Sequence, residues 1–219
     1  MRSLKKEKEV KLVIFDLDGT LVNAYRAVAE SVNFTMRAMG FAERSRDLIR
    51  RSVGWGDSHL IRKFVGDALF EDAISVYRKH HIKALKNGVV FLPGASSLLK
   101  ILQKKNYKLA VATNRPSKFS HLILRVLDAQ KYFDYVLCAD QVARGKPDPM
   151  MLKKILKKFR FSAAEAVYAG DMGIDVQAGK AAGIRTVAVT TGSSSGRELR
   201  KLKPYRVISR IGEIKKFLK

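Results

Sequence analysis

Apolar residues in this chain follow two patterns that take turns. Five short runs rich in Val, Leu and Ala have the continuous apolar character of strands buried on both faces. They are "KLVIFD" (11–16), "KLAVATN" (108–114), "YVLCAD" (135–140), "AVYAGD" (166–171) and "TVAVTTG" (186–192). Interleaved with the later runs are segments of helical period: "GASSLLKILQKKN", "PSKFSHLILRVLDAQ", "DPMMLKKILKKFRF" and "IDVQAGKAAG". Strand–helix alternation at this spacing predicts right-handed crossovers and a parallel sheet covered on both faces, an α/β fold. Pro116 and Pro149 sit near helix starts, and Gly183 closes "QAGKAAGI".

Residues 24 to about 90 break the alternation. "AYRAVAESVNFTMRAMGF" predicts a long amphipathic helix ending at Gly40. "SHLIRKFVGDALFEDAISVYRKHHIKALKNG" predicts two more, with no strand between them. An all-helical insert thus separates the first strand from the rest of the sheet. "TGSSSGREL" (191–199) is expected as a flexible loop, followed by a short strand at "YRVIS" and a terminal helix.

Composition narrows the class. The 219 residues, 47% hydrophobic, suffice for one well-packed domain or a domain with a smaller lobe. Cys138 is the one cysteine, which rules out an intrachain disulfide and fits a reducing cytoplasm. After the basic "MRSLKKEKEV" the apolar run reaches only from Leu12 to Phe15, too short for a signal peptide, and no stretch approaches a membrane span. The expectation is a cytoplasmic protein, monomer or homodimer, with no membrane partner. Lys and Arg number 43 against 20 Asp and Glu, a net charge of +23. That balance raises nucleic acid, a membrane surface or an anionic substrate as partners. The basic residues form no single stripe, however. Lys153, Lys154, Lys157 and Lys158 fill the face of a helix opposite Leu152, Ile155, Leu156 and Phe159, the pattern of a solvated helix.

The chemistry lies at the strand ends. In "LVIFDLDGTLVNA" (12–24) a buried strand runs into Asp16 and Asp18. The later strands end at Thr113-Asn114, at Asp140 leading to Gly145-Lys146, and at Gly170-Asp171. Parallel strands end along one sheet edge, where ligands bind, so these residues meet in one crevice suited to phosphoryl transfer. Asp16, rigid at a strand end, is the candidate nucleophile on phosphorus. Asp18, two residues on, can protonate the leaving oxygen and then deprotonate the hydrolytic water. Mg²⁺ takes carboxylates, waters and phosphate oxygens; Asp16 and Asp171 are its candidate ligands, with Asp175 as outer ligand or orienter. Thr113 and the backbone N–H of Asn114 can bind phosphoryl oxygens near a helix start. Lys146 supplies positive charge to the nucleophile and the transition state. "RGKPDP" around it is no phosphate-binding P-loop, because Pro147 stands where Ser or Thr would.

With these residues assembled, the chain resembles the haloacid dehalogenase-like (HAD) hydrolase superfamily, in its phosphoglycolate phosphatase-like branch. "DLDGTLV", "TN", "GKPDP" and "GDMGIDVQAGKAAG" match its four motifs in order, and the likeness covers about residues 10 to 218. The resemblance implies a Rossmann-like core, residues 1–22 and 91–219, with a small all-helical cap domain at 23–90. It also implies Mg²⁺-dependent phosphomonoester hydrolysis through Asp16, with the backbone carbonyl of Asp18 among the metal ligands. Dehalogenases proper lack the second aspartate of the first motif, so Asp18 favours phosphate over halide chemistry. Two positions depart from the pattern. Asn23 replaces an aspartate where the chain enters the first cap helix, where it can cap without the charge. Met172 stands where many relatives have Ser or Thr, and packing is its expected role.

Substrate choice falls to the cap, whose candidate specificity loop is "RSVGWGDSHL" (51–60). Its "VGxG" resembles phosphoglycolate phosphatases, and the first cap helix lacks the "DTAxxH" pattern of β-phosphoglucomutases. Arg51, Trp55 and Gly56 are the specificity candidates. Arg50 and Arg51 could meet a substrate carboxylate, although solvated surface arginines are commoner. His59, His80, His81 and His121 have no metal-like spacing and receive no role; His59 is nearest the cap loop. The leading expectation is a phosphatase of small metabolites such as 2-phosphoglycolate. The alternatives are a phosphatase of nucleotides or nucleic-acid ends, prompted by the charge, and a non-catalytic anion-binding protein on the same fold. Aromatic residues at 9% do not interleave with the basic runs as a strand-binding surface would want.

Overall fold

A computed structural model describes residues 9–218; most of the basic N-terminal segment lies outside them. Six strands form a parallel sheet: β1 (Leu12–Phe15), β4 (Lys108–Thr113), β5 (Tyr135–Cys138), β6 (Ala166–Gly170), β7 (Arg185–Val189) and β8 (Arg206–Ile208). Their spatial order is β5-β4-β1-β6-β7-β8. Counted along these strands alone the order is 3-2-1-4-5-6, the Rossmann order, whose reversal falls between β1 and β6.

The apolar runs form strands because both faces are covered. Val13 and Phe15 pack on one side with α5 (Ala95–Lys104) and α6 (Ser117–Val126), through Leu98, Leu99, Leu102 and Phe119. Leu12 and Ile14 point the other way, into Met151, Leu152 and Ile155 of α7 (Met150–Phe159) and Ala178 of α8 (Gly173–Ala181). Each such side chain removed from water contributes about 1.5–3 kcal/mol before chain entropy is set against it.

The insert has its own core. Helices α1 (Tyr25–Ala38), α2 (Arg46–Ser52), α3 (Asp57–Val65) and α4 (Phe70–Gly88) bury Val32, Met36, Ile49, Ile61, Ile74 and Tyr77 among themselves. Its two ends are joined by a ribbon that the sequence pattern did not foresee. Val22–Asn23 (β2) pairs antiparallel with Val90–Phe91 (β3). Two-residue strands carry no readable period. The seven-residue α2 was also unforeseen, being shorter than two turns. Near the C-terminus two expectations need correction. Half of the supposed loop 191–199 is helical: Ser195 accepts the Glu198 N–H and starts α9 (Gly196–Lys201). The terminal helix is a 3-10 helix, Ile211–Phe217, pinned by Ile211 and Ile214. Among the described residues, no helix is long and apolar enough to cross a membrane.

Candidate active site

Strand β1 ends between β4 and β6, so the residue beyond it is flanked by both neighbours. Phe15 is in register with Val111 and Ala169. Asp16 follows, its N–H donating to the Ala169 carbonyl at 2.8 Å. Thr113 and Asn114 leave β4, and Asp171 leaves β6, at the same edge.

Lys146 arrives from the loop after β5 with its side chain buried. Its ammonium donates to Asp16 Oδ1 at 2.6 Å, Asp175 Oδ1 at 2.7 Å and the Tyr168 hydroxyl at 3.1 Å. Asn114 fastens that loop. Its Oδ1 accepts the Lys146 N–H at 2.8 Å, and its Nδ2 donates to the Lys146 carbonyl at 2.9 Å and to Gly54 of the insert at 2.9 Å. The Asn114 side chain is therefore a structural tie, and only its backbone N–H is left to act on a phosphoryl group. Thr113 Oγ1 accepts the Arg115 N–H at 3.1 Å, which leaves its own proton available.

Asp171 lies against two glycines. Its Oδ2 accepts the Ser193 N–H at 3.0 Å and its Oδ1 the Thr20 hydroxyl at 3.3 Å. A Cβ on Gly192 would fall 1.6 Å from Oδ2, and one on Gly19, where φ is +77°, would fall 2.6 Å away. The carboxylate occupies the room a side chain would need. Asp175, in the first turn of α8, accepts from Lys146 and Tyr168 through Oδ1 and from the Met172 N–H at 2.9 Å through Oδ2. Both its oxygens are engaged, which suits an orienter of Lys146.

Two buried carboxylates, Asp16 and Asp175, thus share one buried ammonium, with Asp171 close beside them. Burial pushes the Asp16 carboxyl up to about 7, with Asp175 adding to the shift and Lys146 opposing it. Burial, then the charges of Asp16 and Asp175, hold Asp171 well above the ordinary range. Lys146 stays charged, since the two carboxylates outweigh the burial that works against its ammonium. Oxygens of Asp16, Asp171 and Asp175 lie within 4.8 Å of one another. Beside Asp171, the Ser193 hydroxyl is buried without a partner among the described residues. An all-oxygen donor set, uncompensated negative charge and an orphaned hydroxyl fit a hard divalent cation.

Asp18 is held differently, by a residue that sequence reasoning passed over. Arg115 donates from Nε to Oδ2 at 2.7 Å and from Nη2 to Oδ1 at 3.0 Å, a bidentate fork. Its Nη1 lies 2.9 Å from Nε2 of His81, which is fully buried in α4. His81 was assigned no role from sequence. The available signal for Arg115 was a cation between a strand end and Pro116; for His81 there was none.

A cavity of about 60 Å³ separates these groups from the insert, and Val28, Leu60 and Tyr77 are among the insert residues that wall it. Gly56 lines it; Arg51 and Trp55 do not. Trp55 is 49% exposed, with the His59 ring 6.0 Å away. Arg50 instead ties the insert to the loop beside Asp171, donating to the carbonyls of Gly192 at 2.7 Å and Thr191 at 3.3 Å. Met172 lines the cavity against Gly54, a packing role. Asn23 Oδ1 accepts the Tyr25 N–H at 3.2 Å, satisfying one donor at the start of α1.

Residues 13–189 match the family described as haloacid dehalogenase-like hydrolase. A phosphoglycolate phosphatase of Pseudomonas savastanoi pv. phaseolicola is 32% identical over 207 residues, 90% of this chain and 76% of that one. One of Aquifex aeolicus is 32% identical over 186 residues, 84% of this chain and 86% of that one. Among solved structures, that of a predicted phosphoglycolate phosphatase from Haemophilus somnus 129pt superposes with a TM-score of 0.89 at 25% identity, covering 98% of this chain and 100% of that one.

Proposed function

The chain belongs to the haloacid dehalogenase-like hydrolase family and is a phosphatase of it, and from that premise we propose that it hydrolyses a small phosphomonoester through an aspartyl-phosphate, 2-phosphoglycolate being the first candidate. The observation that carries this reading is the Asp16–Lys146 contact of 2.6 Å beside a buried acidic cluster, at the ends of adjacent parallel strands. Similarity to phosphoglycolate phosphatases supports the substrate.

In this mechanism Asp16 forms an O–P bond as the bond from phosphorus to the ester oxygen breaks. Asp18 gives its proton to that oxygen, then takes one from the water that splits the acyl phosphate. Lys146 offsets charge on Asp16 and on the transferring group. The Thr113 hydroxyl and the Asn114 N–H hold phosphoryl oxygens at the entry to α6. Asp16, Asp171 and the Asp18 backbone carbonyl would hold Mg²⁺, with Asp175 orienting from outside. A divalent cation held there would supply Lewis acidity toward the phosphoryl oxygens and would screen their repulsion from Asp16. The insert, residues 23–90, serves as a cap whose apolar wall excludes water.

The test is phosphate release from 2-phosphoglycolate, sugar phosphates, nucleoside monophosphates, pyrophosphate and a 3′-phosphorylated oligonucleotide, each with and without Mg²⁺. Mg²⁺-dependent release led by one small phosphomonoester is the expected result. No release from any of them, in folded protein, would overturn it.

A further inference from the structure

We propose that Arg115 is a positioning residue for proton transfer: it holds the Asp18 carboxylate in place and is itself held by His81 of the helical insert. The inference rests on the reading of Asp18 as the acid–base group. Asp18 sits on the bend after β1, where Gly19 turns the chain back through its N–H to the Val22 carbonyl at 2.8 Å. A carboxylate there has two free side-chain torsions. The Arg115 fork fixes the plane of the group by binding both oxygens. It uses one lone pair on each and leaves the others free for a proton.

Arg115 is fixed in turn. Three of its five N–H donors are in use, two on Asp18 and one on His81. Because Arg115 donates, His81 Nε2 must accept, so the ring proton lies on Nδ1, which faces Ser31 Oγ at 2.9 Å. Ser31 then donates to the Ala27 carbonyl at 2.9 Å in α1. Burial, and next the Arg115 charge, keep His81 neutral. Tyr77 stacks on the imidazole at 4.8 Å between ring centroids, and Phe119 of the core meets it edge-on at 5.1 Å. A chain of contacts thus runs from the middle of the insert to the core carboxylate. Apart from Lys146, already committed to Asp16 and Asp175, Arg115 is the only cation lining the cavity among the described residues. Proton transfer at Asp18 therefore depends on a side chain of α4 that never touches substrate.

Leaving-group dependence isolates this role. Ethyl phosphate expels an alkoxide that needs a proton, whereas 4-nitrophenyl phosphate expels a phenolate that does not. The ratio kcat/KM stops at leaving-group departure, so it excludes the later base step. In Arg115→Met, kcat/KM for ethyl phosphate should fall about 100-fold or more, as loss of a positioned acid implies. That for 4-nitrophenyl phosphate should fall less than about tenfold. Arg115→Lys keeps the charge without the fork and should show the same ordering with smaller losses, about tenfold against threefold. His81→Gln, which can still accept from Arg115, should lie nearer wild type than His81→Leu. Equal losses on both substrates in folded Arg115→Lys would assign Arg115 a structural role and overturn the inference. A loss confined to KM for 2-phosphoglycolate, sparing ethyl phosphate, would make it a substrate-binding residue and overturn it equally. A wild type inactive on all three overturns the proposed function itself, a distinct result.

Discussion

On the core side of the cavity, Asp16, Lys146 and Asp171 are buried; Lys146 is bonded to Asp16, and Asp171 is held beside them by Ser193 and Thr20. On the insert side, Val28, Leu60 and Tyr77 present mainly apolar surface, and the insert reaches the site through hydrogen bonds from Asn114 to Gly54, from Arg50 to the loop beside Asp171, and between His81 and Arg115. The two walls differ because they have different tasks. The core wall must keep like charges within 4.8 Å of each other, which only a rigid sheet edge and shared counter-charge make tolerable. In the proposed function the insert wall has only to exclude water and fit a small ester, so a few well-packed side chains suffice. The contrast teaches that the candidate chemistry is gathered on the sheet edge, while the helices supply an apolar wall facing it.

The largest expected effect breaks the core wall. Asp16→Asn should lower turnover by about 10⁴-fold or more, while circular dichroism shows the fold intact. Comparable activity in that variant would remove the nucleophile from the mechanism. Next, Lys146→Met strips two buried carboxylates of their cation. It should reduce kcat by about 10²–10³ and, by chemical denaturation, destabilise the protein by about 3–5 kcal/mol.

A third test reads the buried negative charge itself. In ion-free protein Asp16 keeps its proton in the fold up to about 7, while the unfolded chain releases it near 3.8. Between those values the unfolded state binds fewer protons, so this group lowers stability as pH rises through the window. Asp16→Asn lacks the group, so its Tm advantage over wild type should grow from pH 4 to pH 7 and shrink when Mg²⁺ is added. A constant difference across that range would mean that the charge is already compensated. The smallest effects belong to the insert's outer surface. Arg51→Ala and Trp55→Ala should leave kcat/KM within about twofold and stability within about 0.5 kcal/mol. Asn23→Asp should stabilise α1 by about 0.3–1 kcal/mol through its N-terminal dipole. A tenfold loss in Trp55→Ala would show that the loop carrying it folds inward when substrate binds.

Legibility follows the same division. Runs such as "KLAVATN" and "AVYAGD" were readable as strands because burial on both faces leaves no polar interruption. The residues at their ends were readable as candidate chemistry because parallel strands finish at one edge. The β2–β3 ribbon and α2 were too short to show a period. Arg115 with Asp18, and His81 with Arg115, are pairs separated by 97 and 34 positions, joined by packing that no local pattern announces.

The sequence by itself indicated that Asp16, Asp18 and Asp171 lie at the sheet edge, since parallel strands finish there, although Asp140, read in the same way, is exposed and bonded to Ser117 outside the cavity. Tertiary structure alone decided how the charges are shared. Lys146 went to Asp16 and Asp175, and Arg115 to Asp18, because each pairing depends on side-chain reach across loops that only packing brings together. Hydrophobic periodicity acts over a few residues along the chain, whereas a buried ion pair answers to distances of about 3 Å across it.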